Sequence, residues 1–180
     1  MYVPFEAGCV LVREAETHRH AFSVHPDYLA RAERGLAAGA FWPEEYGMQL
    51  SRGFRALKVW LSFKEHGLDR YARLIAQNVA QARYLASLVE RTPELELVAP
   101  VPLNIVCFRW VGDRSRDDAA LDALNAELLM RIQERGIAAP SNATVRGRYA
   151  LRVANTNHRT RREDMDLLVR EVCRIGAELS

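Results

Sequence analysis

The side chains able to do chemistry in this 180-residue chain are few and scattered. Five histidines, His18, His20, His25, His66 and His158, invite a catalytic or metal-binding reading. No Cys, Asp or Glu stands at ligand spacing around the His18–His20 pair, which reads as solvated loop, and no metal site is expected. His66 suits the negative end of a helix. Cys9, Cys107 and Cys173 are odd in number, widely spaced and set in apolar surroundings, which argues against a disulfide framework and fits a reducing cytoplasm. Neither Ser23 nor Ser51 lies in a G-x-S-x-G elbow, and no phosphate-cradling glycine motif occurs. Lysine is limited to Lys58 and Lys64, so amine chemistry has only two candidate positions.

Charge excludes further classes. With 25 Lys+Arg against 23 Asp+Glu, the net +2 is too small to imply a polyanionic partner. Arg146–Arg148 and Arg159–Arg162 are basic patches, and Arg146-Gly147-Arg148-Tyr149-Ala150 echoes an RNA-binding strand motif. The positions that follow, Leu151, Arg152 and Val153, lack the aromatic residues that stack on bases, so no nucleic-acid partner is expected. No apolar run approaches the ~20 residues of a membrane span, and the first twelve residues lack the basic start of a secretion signal.

The elements that must position these groups change character along the chain. Tyr2–Val12 is apolar and interrupted by Pro4 and Gly8, the pattern of one or two buried strands. Residues 14–49 read as an overlong loop, a feature that is usually functional. Ser51 is placed to cap a helix carrying Phe54, Leu57, Trp60 and Leu61 that ends at Gly67. A second helix begins at Asp69, repeats Tyr71, Ile75, Val79, Ala82, Leu85 and Val89, and stops at Thr92-Pro93. Two strands follow at residues 94–98 and 104–110. Ser115 with Asp118 suggests a capping box for a helix bearing Leu121, Leu124, Leu128 and Ile132, closed by Gly136. A strand pair is expected at residues 137–139 and 149–153, turning near Gly147. Thr160 with Glu163 would cap a last helix that aligns Met165, Leu168, Val169, Val172 and Leu179. This order predicts an α+β unit, with helices on one face of a mainly antiparallel sheet.

Residues 1–13, His25-Pro26-Asp27-Tyr28-Leu29, the run from Leu50 to Trp60, Asn104–Arg109 and Leu151-Arg152-Val153 together resemble the pyridoxal-phosphate-dependent group II amino-acid decarboxylases. That family includes the aromatic-L-amino-acid, histidine and glutamate decarboxylases. The resemblance implies the aspartate-aminotransferase type of fold (fold type I): residues 1–50 as the remnant of the large cofactor domain with a mobile active-site loop, 51–66 as a connecting helix, and 67–180 as the C-terminal α+β small domain. It implies pyridoxal phosphate as cofactor, an amino-acid substrate and a homodimer in the complete enzyme. The cofactor lysine would lie just before Met1, so no cofactor-binding residue is expected in this chain, and the chain alone is expected to be inactive. Arg152 matches the arginine of the family's Leu-Arg strand and is the substrate-binding candidate; an ion pair between strand and helix is the alternative role for it. In many members a loop tyrosine is the proton donor; the matching region here is Phe41-Trp42-Pro43, with Tyr46 nearby, so Phe41, Trp42 and Tyr46 are the loop candidates and none of them is assigned as the donor. A family member whose loop tyrosine is replaced by phenylalanine is associated with aldehyde formation, so an aldehyde synthase is the alternative within the family. A non-catalytic α+β interaction module is the alternative outside it.

Overall fold

The computed structural model describes residues 3–4, 6–23, 32–35, 38–39 and 41–180, and two compact units divide the chain at Gly67 and Leu68. The block His25–Leu29 lies outside the described residues.

In the first unit, helix α1 (Ala15–Phe22) and a 3₁₀ turn (Pro43–Tyr46) occupy the stretch read as a continuous loop. Helix α2 (Arg55–His66) follows, and Gly67 closes it at φ 73°, a left-handed conformation that glycine adopts without a Cβ penalty. The cap position is Phe54 and not Ser51. The strand expectation for Tyr2–Val12 is not met: its described residues form no strand, and Val10 and Leu11 are 81% and 94% exposed. A strand needs a ladder partner, and no strand occurs among the described residues of this unit.

The second unit is built as the hydrophobic periodicity requires. Helix α3 (Leu68–Arg91) buries Ala82, Leu85 and Val89. It is followed by β1 (Leu95–Leu97), β2 (Ile105–Trp110), α4 (Asp118–Glu134), β3 (Ser141–Val145), β4 (Arg148–Ala154) and α5 (Arg162–Glu178). The sheet has the order β1-β2-β4-β3, with every neighbouring pair antiparallel. Alternation along β2 sends Val106, Phe108 and Trp110 into one core with Leu151, α3, α4 and α5, while Cys107 and Arg109 take the opposite side. The α+β arrangement is thus as expected, with the side chains of all three helices in one continuous core.

Local starts differ from expectation. The first hairpin strand begins at Ser141 and not at residue 137, because Pro140 offers no N–H to a ladder. Residues 137–138 pack against the core instead. Arg146 (φ 52°) and Gly147 (φ 80°) form the two-residue turn, both left-handed as a type I′ hairpin demands. Asp117, not Ser115, caps α4, its carboxylate accepting from the Ala120 N–H at 2.8 Å; the Ser115 N–H goes to Asp113. Asp164, not Glu163, closes the α5 start by accepting from the N–H of Arg161, which caps the helix one residue past the expected Thr160.

The sheet splits at one end. The β2–β4 ladder stops at Phe108↔Leu151, and α4 fills the gap beyond it. Fully buried Asn125 accepts from the Trp110 N–H and donates to the Trp110 carbonyl, both at 2.8 Å. Asp122 accepts from the Tyr149 N–H. Arg109, 4% exposed, runs alongside and donates to Glu96 (2.9 Å) and Asp118 (2.8 Å). Burial would lower the pKa of its guanidinium, and these two hydrogen bonds more than offset that, leaving it raised.

Candidate functional site

Arg152 lies on β4, directly opposite Cys107 of β2 on one side and Ser141 of β3 on the other. The three therefore form a row across the sheet. Its Nη1 donates to Ser141 Oγ at 3.2 Å. No described carboxylate stands within ion-pair distance of Arg152, so the strand-to-helix ion pair considered from the sequence is not formed. The guanidinium borders a concavity of 280 Å³ lined also by Pro140, Ala154, Asp164, Met165 and Leu168. Burial pushes the Cys107 thiol upward, and the Arg152 charge only partly counters it, so Cys107 is no thiolate nucleophile at neutral pH.

The loop candidates come together within the first unit. Phe41 and Tyr46 stack at 5.0 Å between ring centroids, and His18 meets Tyr46 edge-on at 5.6 Å. Trp42 stands one residue ahead of the 3₁₀ turn, its indole facing Gly39. What holds this cluster is a pair that the sequence reading missed: Arg19 Nε donates to Glu45 Oε2 at 2.7 Å, and Glu45 is 1% exposed. The hydrogen bond from Arg19 to Glu45 raises the Arg19 pKa above its ordinary value. The two residues are 26 positions apart, so no local pattern announces them.

A larger concavity of 830 Å³ in the same unit is bordered by Glu6, Phe41, Gln49, Arg52, Phe54 and Arg55. Arg55 bridges Glu6 at 2.6 Å and donates to Gln49 Oε1, and Arg52 donates to the Pro43 carbonyl. These arginines brace the wall with protein partners.

Among the described residues, no group of three or more His, Cys, Asp and Glu is placed to hold a metal ion. No described helix is long and apolar enough to cross a membrane. Of the histidines outside the loop, His66 lies in the last turn of α2 and His158 accepts a hydrogen bond from Gln77 at its carbonyl.

Residues 1–111 match the pyridoxal-dependent decarboxylase conserved domain. The chain belongs to that family. It is 29% identical over its whole length to an aromatic-L-amino-acid decarboxylase of Bacillus atrophaeus, of which it covers 37%. It is 31% identical over 96% of its length to the aromatic-L-amino-acid decarboxylase of Drosophila lebanonensis, covering 40% of that protein. The solved structure of Oryza sativa TDC with PLP and tryptamine superposes with a TM-score of 0.67 at 26% identity, over 72% of this chain and 28% of that one. The chain thus spans roughly two fifths or less of its relatives' length.

Pyridoxal phosphate is the family's cofactor, and the residues present do not fit it. A carbonyl cofactor of this kind is held through a lysine amine in a desolvated site. Lys58 and Lys64 are both on α2, whose residues are all at least partly exposed. The Lys64 ammonium lies over the Trp60 ring at 5.8 Å, and neither lysine borders the two concavities described above.

Proposed function

We propose that this chain is the C-terminal part of a pyridoxal-phosphate-dependent amino-acid decarboxylase, converting an L-amino acid to an amine and carbon dioxide when joined to the cofactor-bearing remainder. Residues 1–50 belong in this reading to the large domain and its active-site loop, 51–66 to the connecting helix, and 67–180 to the small domain. The complete enzyme is a cytoplasmic homodimer. The chain by itself is inactive, and Arg152 contributes a carboxylate-binding group. The observation that carries the reading is the family match over residues 1–111 together with an arginine at 152 whose fork meets no carboxylate among the described residues.

The experiment is a carbon dioxide release assay on aromatic L-amino acids. It compares the chain alone with the chain fused behind the upstream part of a family member. Release only from the fusion supports the reading. Release from the chain alone, or none from a folded fusion that binds the cofactor, refutes it. Both chemistries release carbon dioxide, so the organic product of the same reactions, amine against aldehyde, decides on the aldehyde-forming variant. That variant is favoured by one observation: Tyr46, the only phenol in residues 30–46, has its ring stacked on Phe41. An aldehyde among the products would assign it.

A further inference from the structure

We propose that Ser141 is the positioning residue of Arg152, turning the two-donor edge of its guanidinium outward for the carboxylate of a small apolar acid. The proposal rests on the reading of Arg152 as a carboxylate-binding group. Ser141 and Arg152 are register partners across β3 and β4, so their side chains leave the same side of the sheet a strand spacing apart. The serine hydroxyl touches Arg152 twice. It donates its hydrogen to the Arg152 carbonyl at 3.3 Å and accepts from Nη1 at 3.2 Å.

A hydroxyl has one hydrogen and two lone pairs. Committing the hydrogen to the backbone of Arg152 turns a lone pair toward the guanidinium of the same residue, so backbone and side chain are locked through one oxygen. On the other flank stands Cys107, a neutral thiol at neutral pH and a weak acceptor, which does not compete for the guanidinium. Of the five N–H groups of Arg152, the described residues satisfy one, at Nη1. The Nε–H and Nη2 donors, which lie side by side and match the two oxygens of a carboxylate, remain uncommitted. A guanidinium with one corner pinned has lost part of its rotamer freedom before a ligand arrives, and that ordering no longer opposes binding. Ala154, Met165 and Leu168 supply the apolar wall beside it, which favours an acid with a hydrocarbon body over a bare anion.

The test uses the full 180-residue chain with 15N-labelled arginine, and 3-phenylpropionate as probe. The Arg152 Nε–H resonance, identified by its loss in Arg152→Met, is followed during titration, and the line shapes of the Nη groups report guanidinium rotation. Two variants matched in shape and strand preference isolate the hydroxyl: Ser141→Thr keeps it and Ser141→Val removes it. The expected result is slowed rotation and saturable binding in the parent and in Ser141→Thr. Ser141→Val should show faster rotation and about fivefold weaker binding, with an unchanged melting temperature. Equal affinity in Ser141→Val and Ser141→Thr overturns the proposal and leaves the Arg152 reading standing. Absence of any Nε–H response in the parent, even with rotation freed in Ser141→Val, overturns the Arg152 reading and the proposal with it.

Discussion

Arg19 and Glu45 are joined by a 2.7 Å hydrogen-bonded ion pair in which the acid is 1% exposed and the base about one third exposed. The pair ties α1 to the 3₁₀ turn that carries Tyr46. Removing Arg19 alone takes a charge-assisted hydrogen bond from a carboxylate that stays buried, whereas removing both groups also removes the buried charge. Arg19→Met should therefore destabilise the first unit, by less than the loss of a fully buried pair would because Arg19 keeps contact with water. Limited trypsin digestion after Arg34 is the measurement: cleavage there should accelerate in Arg19→Met and less in the double variant Arg19→Met/Glu45→Leu. An unchanged rate would mean that the pair does not hold the loop.

The placement of both lysines on an exposed helix has a direct chemical readout. After incubation of the chain with pyridoxal phosphate and borohydride, intact-mass measurement should find no stoichiometric addition. A single, saturating adduct mapped to Lys58 or Lys64 would show that this chain carries a cofactor site of its own.

Helix α2 and its cap residue expose Phe54 (73%), Trp60 (55%) and Leu61 (51%), large apolar groups rarely left together in water. Sedimentation velocity should find the chain self-associated at micromolar concentration. Trp60→Lys/Leu61→Lys should shift it toward monomer without altering the melting of residues 68–180. A parent chain that is already monomeric would show that this stripe is not adhesive.

Gly176 of α5 lies against the buried Trp110 indole so closely that a Cβ there would overlap the ring at Nε1. Gly176→Ala gains helix propensity of about 1 kcal/mol but forces the ring or helix to move, at roughly 3 kcal/mol. A net loss near 2 kcal/mol is expected in thermal unfolding. A stabilised variant would mean that Trp110 has room to shift.

The C-terminal helix gives a pH dependence of known sign. Hydrogen bonds from Arg174 and Arg135 hold the Glu171 and Glu178 carboxyls, respectively, below their ordinary values. Groups depressed in the folded state bind protons more readily when unfolded. Their stabilisation is therefore fully present above the unfolded carboxylate value of about 4.3 and is lost as pH falls through the lower folded values. Melting temperature should drop between about pH 5 and pH 3, and the drop should be shallower in Arg135→Gln/Arg174→Gln. Because Glu178 is exposed and Glu171 keeps part of its surface in water, the change is small, and identical acid limbs in the two proteins would assign the loss elsewhere.

How far the sequence foretold these features depends on the range over which each is encoded. Helices α3, α4 and α5 and strands β1 and β2 were legible because their apolar residues repeat at 3.6 or alternate, and each pattern is complete within its own element. Caps were misplaced by one to three residues, since Asp117 and Ser115, or Asp164 and Glu163, are alike as side-chain acceptors until the backbone chooses between them. The start of β3 was hidden because residues 137–139 look strand-like while Pro140 decides the ladder. Tyr2–Val12 has strand composition, but composition supplies no partner strand. In the candidate site, Arg152 was visible only by family resemblance. The contact between Ser141 and Arg152 depends on register, and that between Arg19 and Glu45 on 26 residues of intervening chain.

The splitting of β2 from β4 has a consequence for how the second unit opens. Where a sheet is continuous, a strand end can fray while the helices stay packed, and amides there exchange with solvent early. Here the Trp110 and Tyr149 amides are bonded not to another strand but to Asn125 and Asp122 of α4. The Trp110 amide, bonded inside the core, exchanges only when α4 lifts away, and lifting α4 also breaks the bonds of Asn125 to Trp110 and of Asp122 to Tyr149. Helix and sheet end are thereby made into one opening unit. Deuterium uptake at the Trp110 amide should follow that of the α4 backbone, with Asn125→Leu uncoupling the two rates.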